Sequence, residues 1–419
     1  SNSADAMPQQ REPQSREWLT PNVRVLSAVS FLQDVASELL YPLLPIYLTA
    51  VLGAPPAVVG AIEGAAEGGA AMTKLAAGPL GDRFARRPLI AAGYGMAALG
   101  KLIVAVAGAW PGVLTGRVVD RLGKGVRGAP RDALLVDGLD PSVRGRVFGF
   151  HRTMDTLGAV VGPLIGLAGY ELLDHNIPPL LYIAVIPGVL SVLLIALVSE
   201  RRVSERRVSE RRVSERRVSE RRAGPLPRRR AVFRGLRDLP RPYWRVVAVL
   251  VGFGLVNIPD ALLLLRLNEI GFGVAEVILA YVTYNLVYAL GSFPAGVLAD
   301  KLPRHAVFGV GLVFFAVGYI GLGVTSDPAA AWIFIGVCGL FTACTDGVGK
   351  AWISGLAPAD RQSSAQGVFQ GLSGLAMLVA GVWAGLLWGG DGSLPLLIAG
   401  AVGGCFAVVL LVPRRSPCE

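Results

Sequence analysis

The sequence predicts an all-α membrane protein built as two six-helix bundles. Three observations carry that expectation: composition, the length of the apolar runs, and the placement of arginine between them. The chain has 419 residues, 53% hydrophobic and 17% charged, with mean hydropathy +0.54. A soluble domain carries about 25% charged residues, so a water-exposed surface is not expected. The 53 glycines and 28 prolines sit inside apolar runs, where transmembrane helices tolerate both. Disordered, collagen-like and disulfide-rich secreted classes are excluded on composition. The cysteines, Cys338, Cys344, Cys405 and Cys418, form no C-x-x-C or metal-ligand spacing, so no redox role, zinc or other metal site is expected. Residues 1–22 are polar and carry no cleavable signal pattern.

A helix needs about 20 mostly apolar residues to cross the hydrocarbon core. Twelve segments qualify: roughly 24–50, 56–80, 88–109, 112–137, 147–171, 179–199, 244–265, 274–299, 304–325, 329–355, 364–389 and 393–413. In order, the first run stops at Gly53, Pro55 and Pro56, the third at Trp110-Pro111-Gly112, and the fourth at Asp140-Pro141. Pro178-Pro179 ends the fifth, Asp327-Pro328 the ninth, and Gly389 to Gly392 the eleventh. No ten-residue alternating runs appear, which favours helices over a barrel.

Lys and Arg in the breaks set the orientation. The even-numbered breaks hold Arg83, Arg86 and Arg87, then Arg144 and Arg146, an arginine-rich centre, Lys301 and Arg304, and Arg361. The odd-numbered breaks hold Glu171, Asp174, Asp327 and Asp391, with Arg266 the basic exception. Both termini are therefore expected in the cytoplasm. The expected organisation is a tail (1–22), a bundle (23–199), a cytoplasmic linker (200–242), a second bundle (243–413) and a tail (414–419).

The net charge of +10 is not a nucleic-acid signal. Five Val-Ser-Glu-Arg-Arg units over 198–222 supply half of it with ten Arg and five Glu. Their five-residue period builds no helix face, so they read as a solvated spacer whose arginines meet anionic headgroups. The halves resemble each other. Gly78-Pro79-Leu80-Gly81-Asp82-Arg83 closes the second span and Gly296-Val297-Leu298-Ala299-Asp300-Lys301 the eighth, and both read G-x-x-x-D-(R/K). Repeated bundles of this kind place a site near the midplane between them.

At these residues the chain resembles the major facilitator superfamily of secondary transporters. Gly78 to Arg87, GPLGDRFARR, is similar to the family's loop motif between helices two and three, with Ala85 in place of a glycine. Arg121-Leu122-Gly123-Lys124-Gly125 resembles the fourth-helix motif of proton-coupled members. Gly158 to Gly166, containing Gly162 and Pro163, resembles the fifth-helix motif of exporting antiporters. Tyr41-Pro42-Leu43-Leu44-Pro45 resembles the end of the first helix in drug-efflux members. The resemblance implies a major-facilitator-type fold, alternating access and proton antiport.

The loop motif, read physically, offers a conformational latch. Asp82 can accept from a neighbouring helix N-terminus or pair with an arginine, with Gly78, Arg83, Arg87, Asp300 and Lys301 as the remaining members. For the arginines, positive-inside anchoring is the favoured alternative. Gly158, Gly162 and Gly166 permit close helix approach, and Pro163 invites a bend. The G-x-G-x-x-G at Gly123 to Gly128 is no dinucleotide site, since no strand precedes it.

Ionisable residues within the spans are functional candidates by default. The first half offers Asp34, Glu38, Glu63, Glu67, Lys74, Lys101, Arg117, Asp120, Arg121 and Lys124; Arg127, Arg131 and Asp132 are expected to snorkel. The second half offers Asp260, Asp346 and Lys350 with Asn257, Asn285, Tyr284 and Tyr288. Pairs at i, i+4 (Asp34 with Glu38, Asp120 with Lys124, Asp346 with Lys350) share helix faces, and each could equally be a structural ion pair. Asp34 and Glu38 lie about 15 and 21 Å along the first span, near the midplane. Two such close acids cannot both ionise cheaply, so one is expected to hold the coupling proton, with Arg121 or another basic residue of the fourth helix controlling release.

The resulting expectation is a multi-pass cell-membrane (inner or plasma membrane) transporter, a monomer. It exchanges a small-molecule substrate against protons, contacts membrane lipids, and uses no nucleic acid, no enzymatic chemistry and no cofactor beyond the proton. An organic-anion carrier of the same fold, favoured by the basic fourth helix, and a non-transporting receptor remain the alternatives. An enzyme is disfavoured because His151, His175 and His305 form no nucleophile–base constellation.

Overall fold

The computed structural model describes residues 17–41, 44, 47–54, 56–200, 239–389 and 391–412. Of residues 40, 49, 50, 56–65, 67 and 274 it describes the backbone alone. The linker repeat beyond Glu200, expected to be a spacer, lies outside the described residues.

The first half comprises α1 (Pro21–Leu40), α2 (Pro56–Arg83), α3 (Arg86–Val106), α4 (Trp110–Leu135), α5 (Arg144–Leu172) and α6 (Pro178–Leu194). The second comprises α7 (Arg241–Gly254), α8 (Asp260–Ile270), α9 (Val274–Lys301), α10 (Arg304–Val324), α11 (Pro328–Leu356), α12 (Gln362–Leu386) and α13 (Ser393–Leu411). Proline opens α1, α4, α6, α7 and α11 within their first turns, where a missing N–H costs nothing. Large apolar side chains point outward, as lipid-facing surfaces require: Leu193, Val324, Ile333 and Leu386 are all more than 60% exposed.

Among the described residues, seven helices are long and apolar enough to cross a membrane: 86–106, 178–197, 275–301, 304–324, 328–356, 359–386 and 393–411. One expected span is not a continuous helix, and another is described only in part. Of the run 24–50, α1 to Leu40 and a π-helical turn at Tyr47–Val51 are described, while residues 42, 43, 45 and 46 lie outside the described residues. The run 244–265 divides into α7 and α8 around Leu255–Pro259. Pro259 withholds a donor there, and side chains from other helices satisfy the freed carbonyls. Tyr319 Oη donates to Ile258 O at 3.0 Å and Trp383 Nε1 to Leu255 O at 2.8 Å.

Within the first half α1 packs on α5 and α6, and α4 on α2 and α3; within the second, α10 packs on α11 and α13, and α9 on α11. The halves meet through α2 against α12 and α5 against α9. Both crossings are glycine-built. A Cβ on Gly78 would stand 3.1 Å from Gly367 Cα, and one on Gly296 would stand 3.1 Å from Gly149 Cα. The interval along the chain from Gly78 to Gly296 is the same as that from Gly149 to Gly367. The same crossing is built twice.

Candidate functional site

The site is the seam between the halves, and three tiers of contact run along it. The first lies at the arginine-rich end. Asp82, at the end of α2, accepts the backbone N–H groups of Ser363 and Ser364, each at 2.8 Å, in the first turn of α12. Asp300, at the end of α9, accepts those of Gly145 at 2.8 Å and Arg146 at 3.0 Å in the first turn of α5. Helix N-termini carry unsatisfied donors and a partial positive charge, so a carboxylate fits both needs. The interval that relates Gly78 to Gly296 also relates Asp82 to Asp300, Gly145 to Ser363 and Arg146 to Ser364, so acid and donors repeat together. Arg86 stands 4.0 Å from Asp82 and 3.8 Å from Asp137, and Arg146 Nε 3.3 Å from Asp300. Arg83 and Lys301 point to solvent instead, and Arg87 donates to Ala196 O at 2.9 Å. Of the expected latch members, the two acids and Gly78 make the contacts between halves.

The second tier is buried and ionic. Asp132 on α4, fully buried, accepts from Lys350 on α11 at 2.9 Å, Arg131 at 3.0 Å and Gln370 on α12 at 2.8 Å. Arg152 on α5 contacts Asp155 at 2.5 Å and reaches across to Asp346 on α11 at 2.9 Å, which also accepts from Tyr288 Oη at 2.5 Å. Ser30 joins this layer to α1, contacting His151 Nε2 at 2.9 Å, Tyr94 Oη at 3.1 Å and Arg131 at 3.2 Å.

Two expectations are corrected here. Asp346 and Lys350 do not form their i, i+4 ion pair, and Asp120 does not pair with Lys124: Asp346 is bonded to Arg152, Lys350 to Asp132 and Asp120 to Lys101, because each finds a short, directed partner on a neighbouring helix. Nor do Arg127, Arg131 and Asp132 snorkel. All three are at most 8% exposed, and Arg127 lies 4.3 Å over the Tyr94 ring.

Beyond this layer the contacts between halves change partners. The α5–α9 seam extends to Thr153, which donates to Ala289 O at 2.8 Å, and the α2–α12 seam to Ala71 and Gly374. Further along, α5 turns its glycines to α1 instead. Cβ atoms on Gly158, Gly162 and Gly166 would approach Phe31 O, Val35 O and Leu39 O within 3 Å. Pro163 sits inside α5, which continues past it. This contact presents Asp34 and Glu38, both half-buried, to the third tier. Glu38 accepts from Tyr281 Oη of α9 at 3.2 Å, and Tyr41 stacks on Tyr281 at 6.2 Å. Asp34 interacts with Asp155, Lys124, Glu38 and Arg152, and Glu38 with Arg121, Lys124 and Arg117.

On the first-half wall, Asp120 pairs with Lys101 at 3.0 Å and Arg117 at 3.9 Å beside a small cavity that Ser37 also lines. Lys124 is exposed on α4. On the facing wall, Asp260 accepts from Tyr284 at 3.4 Å, and Tyr284 shares a 2.7 Å bond with Thr342. Asn285 spends its amide on Tyr281 O at 3.0 Å, within its own helix, and Asn257 lies in the α7–α8 break. Lys74 sits on the α2 stretch facing α12. The side chains of Glu63 and Glu67 lie outside the described residues.

Sequence reasoning passed over the donors to the two caps, Ser363, Ser364 and Gly145, and the partners in the other tiers, Gln370, Tyr281 and Arg152 as a bridge. The interval from Gly78 to Gly296 was the available signal. Applied to Asp132 it lands on Lys350, and applied to Arg152 it lands on Gln370.

A bundle split into like halves, charged along its seam and apolar outside, defines a multi-pass membrane transporter. The chain belongs to the Major Facilitator Superfamily, whose family model matches residues 26–265 and 261–419. It is 28% identical over 388 residues to an uncharacterised MFS-type transporter of Methanocaldococcus jannaschii, covering 90% of this chain and 91% of the relative. A shorter stretch of 127 residues, 30% of this chain and 31% of the relative, is 33% identical to the multidrug resistance protein MdtH of Photorhabdus laumondii. Among solved structures it is similar to the human organic anion transporter MFSD10, with TM-score 0.71, 15% identity, and 93% and 99% of the two chains covered. The proton:xylose symporter XylE gives TM-score 0.70 at 14% identity, with 94% and 96% covered. No enzymatic family is indicated.

Proposed function

We propose that this protein is a proton-coupled exporter that crosses the cell membrane twelve times, keeps both termini in the cytoplasm, and works as a monomer. The five positions outside the seven apolar helices also cross in this reading, their charges turned to the seam and paired there rather than to lipid. The arginine-rich end is then cytoplasmic. The halves packed together there, through the caps on Asp82 and Asp300, correspond to a state closed inward.

The observation that carries the coupling is the position of Glu38. Its carboxylate accepts from Tyr281 of the opposite half at 3.2 Å, one helical turn from Asp34 and within the field of Arg121 and Lys124. A proton on Glu38 removes the negative charge that holds Tyr281. A guanidinium moving closer favours the ionised form and releases the proton. Protonation thereby changes a contact between halves, which is the requirement for coupling. The kinship to MdtH, named a multidrug resistance protein, supports the outward direction.

The test is transport into proteoliposomes driven by a pH gradient, against a panel of organic cations, anions and neutral metabolites. Glu38→Gln and Asp34→Asn should each abolish gradient-driven transport, and at least one should retain downhill exchange. If both variants still concentrate substrate with an unchanged pH profile, the proton site lies elsewhere. A second reading, an organic-anion carrier, is favoured by the exposed Lys124 and the neighbouring Arg117 and Arg121, and by the likeness to a structure titled an organic anion transporter. Accumulation of anions alone in the same panel supports it.

A further inference from the structure

The first residues of the linker are held by a contact that the transport cycle proposed above does not use. α3 begins at Arg86 behind Ala85, which offers no side-chain acceptor for the first turn. Glu200 supplies it through space: its two carboxylate oxygens accept the N–H groups of Arg86 at 2.8 Å and Arg87 at 3.0 Å. One residue earlier, Asn22 at the start of α1 reads the main chain of Ser199. Its Nδ2 donates to Ser199 O at 2.7 Å, and its Oδ1 accepts from Ser199 N at 3.0 Å. One residue earlier again, Val198 is 2% exposed and belongs to the apolar cluster that contains Val23, Leu26 and Ile90. Three consecutive residues are thus recognised by three different means: an apolar pocket, a two-point main-chain clamp and a carboxylate-binding helix N-terminus.

The recognised triplet is Val-Ser-Glu, and the sequence repeats it at 203–205, 208–210, 213–215 and 218–220, each time followed by Arg-Arg. Nothing in the chemistry of the contact distinguishes the first copy from the other four. Only chain connection does, because the first copy continues directly from the short helical turn at Ile195–Leu197. For the second copy to dock, residues 198–202 must loop out, and the entropy of closing a short loop places that copy behind the first without forbidding it.

We propose that Asn22, the N-terminus of α3 and the Val23–Leu26–Ile90 pocket form a docking site for a Val-Ser-Glu segment, and that the downstream repeats of this chain are alternative ligands for it. The repeat is then a ladder of registers. Each step changes by five residues the free length of linker between the halves, and occupancy of the dock holds Arg86, at the start of α3, beside Asp82. The first copy holds the site in the native chain, and the next takes it when the first is disabled.

Cysteine cross-linking of the full-length protein tests this, in a background with the four native cysteines replaced by alanine. Pro21→Cys, exposed beside Asn22 and leaving the clamp intact, is combined with either Ser199→Cys or Ser204→Cys and treated with a short bismaleimide. The Ser199→Cys pair should cross-link efficiently and the Ser204→Cys pair at less than about a tenth of that yield. Adding Glu200→Ala should lower the first at least fivefold and raise the second at least fivefold. Adding Glu205→Ala as well should remove that gain. Where Glu200→Ala is not recovered as a monodisperse protein, Glu200→Gln, isosteric but uncharged, replaces it. The proposal is overturned if Ser199→Cys fails to cross-link in the native background, if its yield is indifferent to Glu200, or if Ser204→Cys never gains when Glu200 is lost.

Discussion

The Asp132–Lys350 pair gives the sharpest test of how the seam is held. The two groups stand 2.9 Å apart, fully or nearly fully buried, on α4 of one half and α11 of the other. At an effective dielectric constant of about 20 their Coulomb attraction is about 6 kcal/mol before desolvation, most of which desolvation offsets. Removing one partner of a buried pair costs more than the pair is worth, roughly 3–5 kcal/mol, because a bare charge stays behind. The two single variants should differ. Lys350→Met leaves Asp132 with Arg131 at 3.0 Å and Gln370 at 2.8 Å, so its cost falls near 3 kcal/mol. Asp132→Asn leaves Lys350 and Arg131 both without this carboxylate, so its cost falls near 5 kcal/mol. In the proposed transport cycle the pair exists only while this end is closed, so the loss appears as a population shift. Swinging an equilibrium from 99:1 to 1:99 takes about 5.5 kcal/mol, so 3 kcal/mol carries a 99:1 closed population to roughly even. Spin-label distances between the arginine-rich ends of α2 and α12, in nanodiscs, read that population directly. The double variant should cost less than the sum by 1 kcal/mol or more, the mark of direct coupling. Exchanging the charges, Asp132→Lys with Lys350→Asp, should recover only part of the closed population, because it sets a lysine beside Arg131. Additive single effects, or a closed population unmoved by Asp132→Asn, refute this account of the seam.

Further outcomes follow from the other tiers. Asp82→Asn keeps one acceptor oxygen and loses the charge, so it should weaken the closed state by about 1–2 kcal/mol; transport should fall more than thermal stability, and Asp300→Asn should match it within a factor of about two in closed population. Arg266→Met should lower stability by roughly 3 kcal/mol in detergent thermal denaturation, since this 6%-exposed guanidinium binds the carbonyls of Leu322, Thr325 and Asp391 at 2.8–3.0 Å. Deleting residues 203–222 should leave transport intact, with the first Val-Ser-Glu still in place, and should weaken binding to anionic liposomes by at most about 1 kcal/mol for each arginine near the surface.

The helical class, the two halves and the acids on α1 were legible because apolar run length and charge within a run are local properties. Asp82 was legible as a helix-capping acid for the same reason: an acid at the end of an apolar helix has few other uses. What escaped was every contact set by the approach of two helices distant in sequence. Asp346 and Lys350 share a face at i, i+4, and a one-dimensional reading pairs them, yet each finds a better partner 2.9 Å away on the other half. Arg266 read as an exception to the orientation pattern; its side chain serves carbonyls left open at the end of α10, which no spacing in the sequence announces. The α7–α8 break shows the opposite case. Pro259 was visible, but hydropathy alone carried the run across it, because Tyr319 and Trp383 make a broken helix tolerable there.

The duplicated positions explain why one seam can be both tight and reversible. Where the repeat kept its chemistry, at Asp82 and Asp300 with their glycine crossings, the two halves offer identical caps placed symmetrically, and neither half is preferred. Such contacts position the halves but give substrate or proton nothing to act on differentially. Where the repeat diverged, equivalent positions became complementary. Asp132 and Lys350, equivalent positions in the two halves, bond to each other, and Gln370, the counterpart of Arg152, donates to the same Asp132. A pair of equivalent residues can meet only near the axis that relates the halves, so this bond is broken by any rocking motion and re-formed only on return. The ionic tier therefore separates the symmetric caps from the asymmetric third tier, where the first half contributes acids and bases and the second contributes tyrosines and Asp260. A change in charge at Glu38 acts on Tyr281 of the opposite half, away from the symmetric caps.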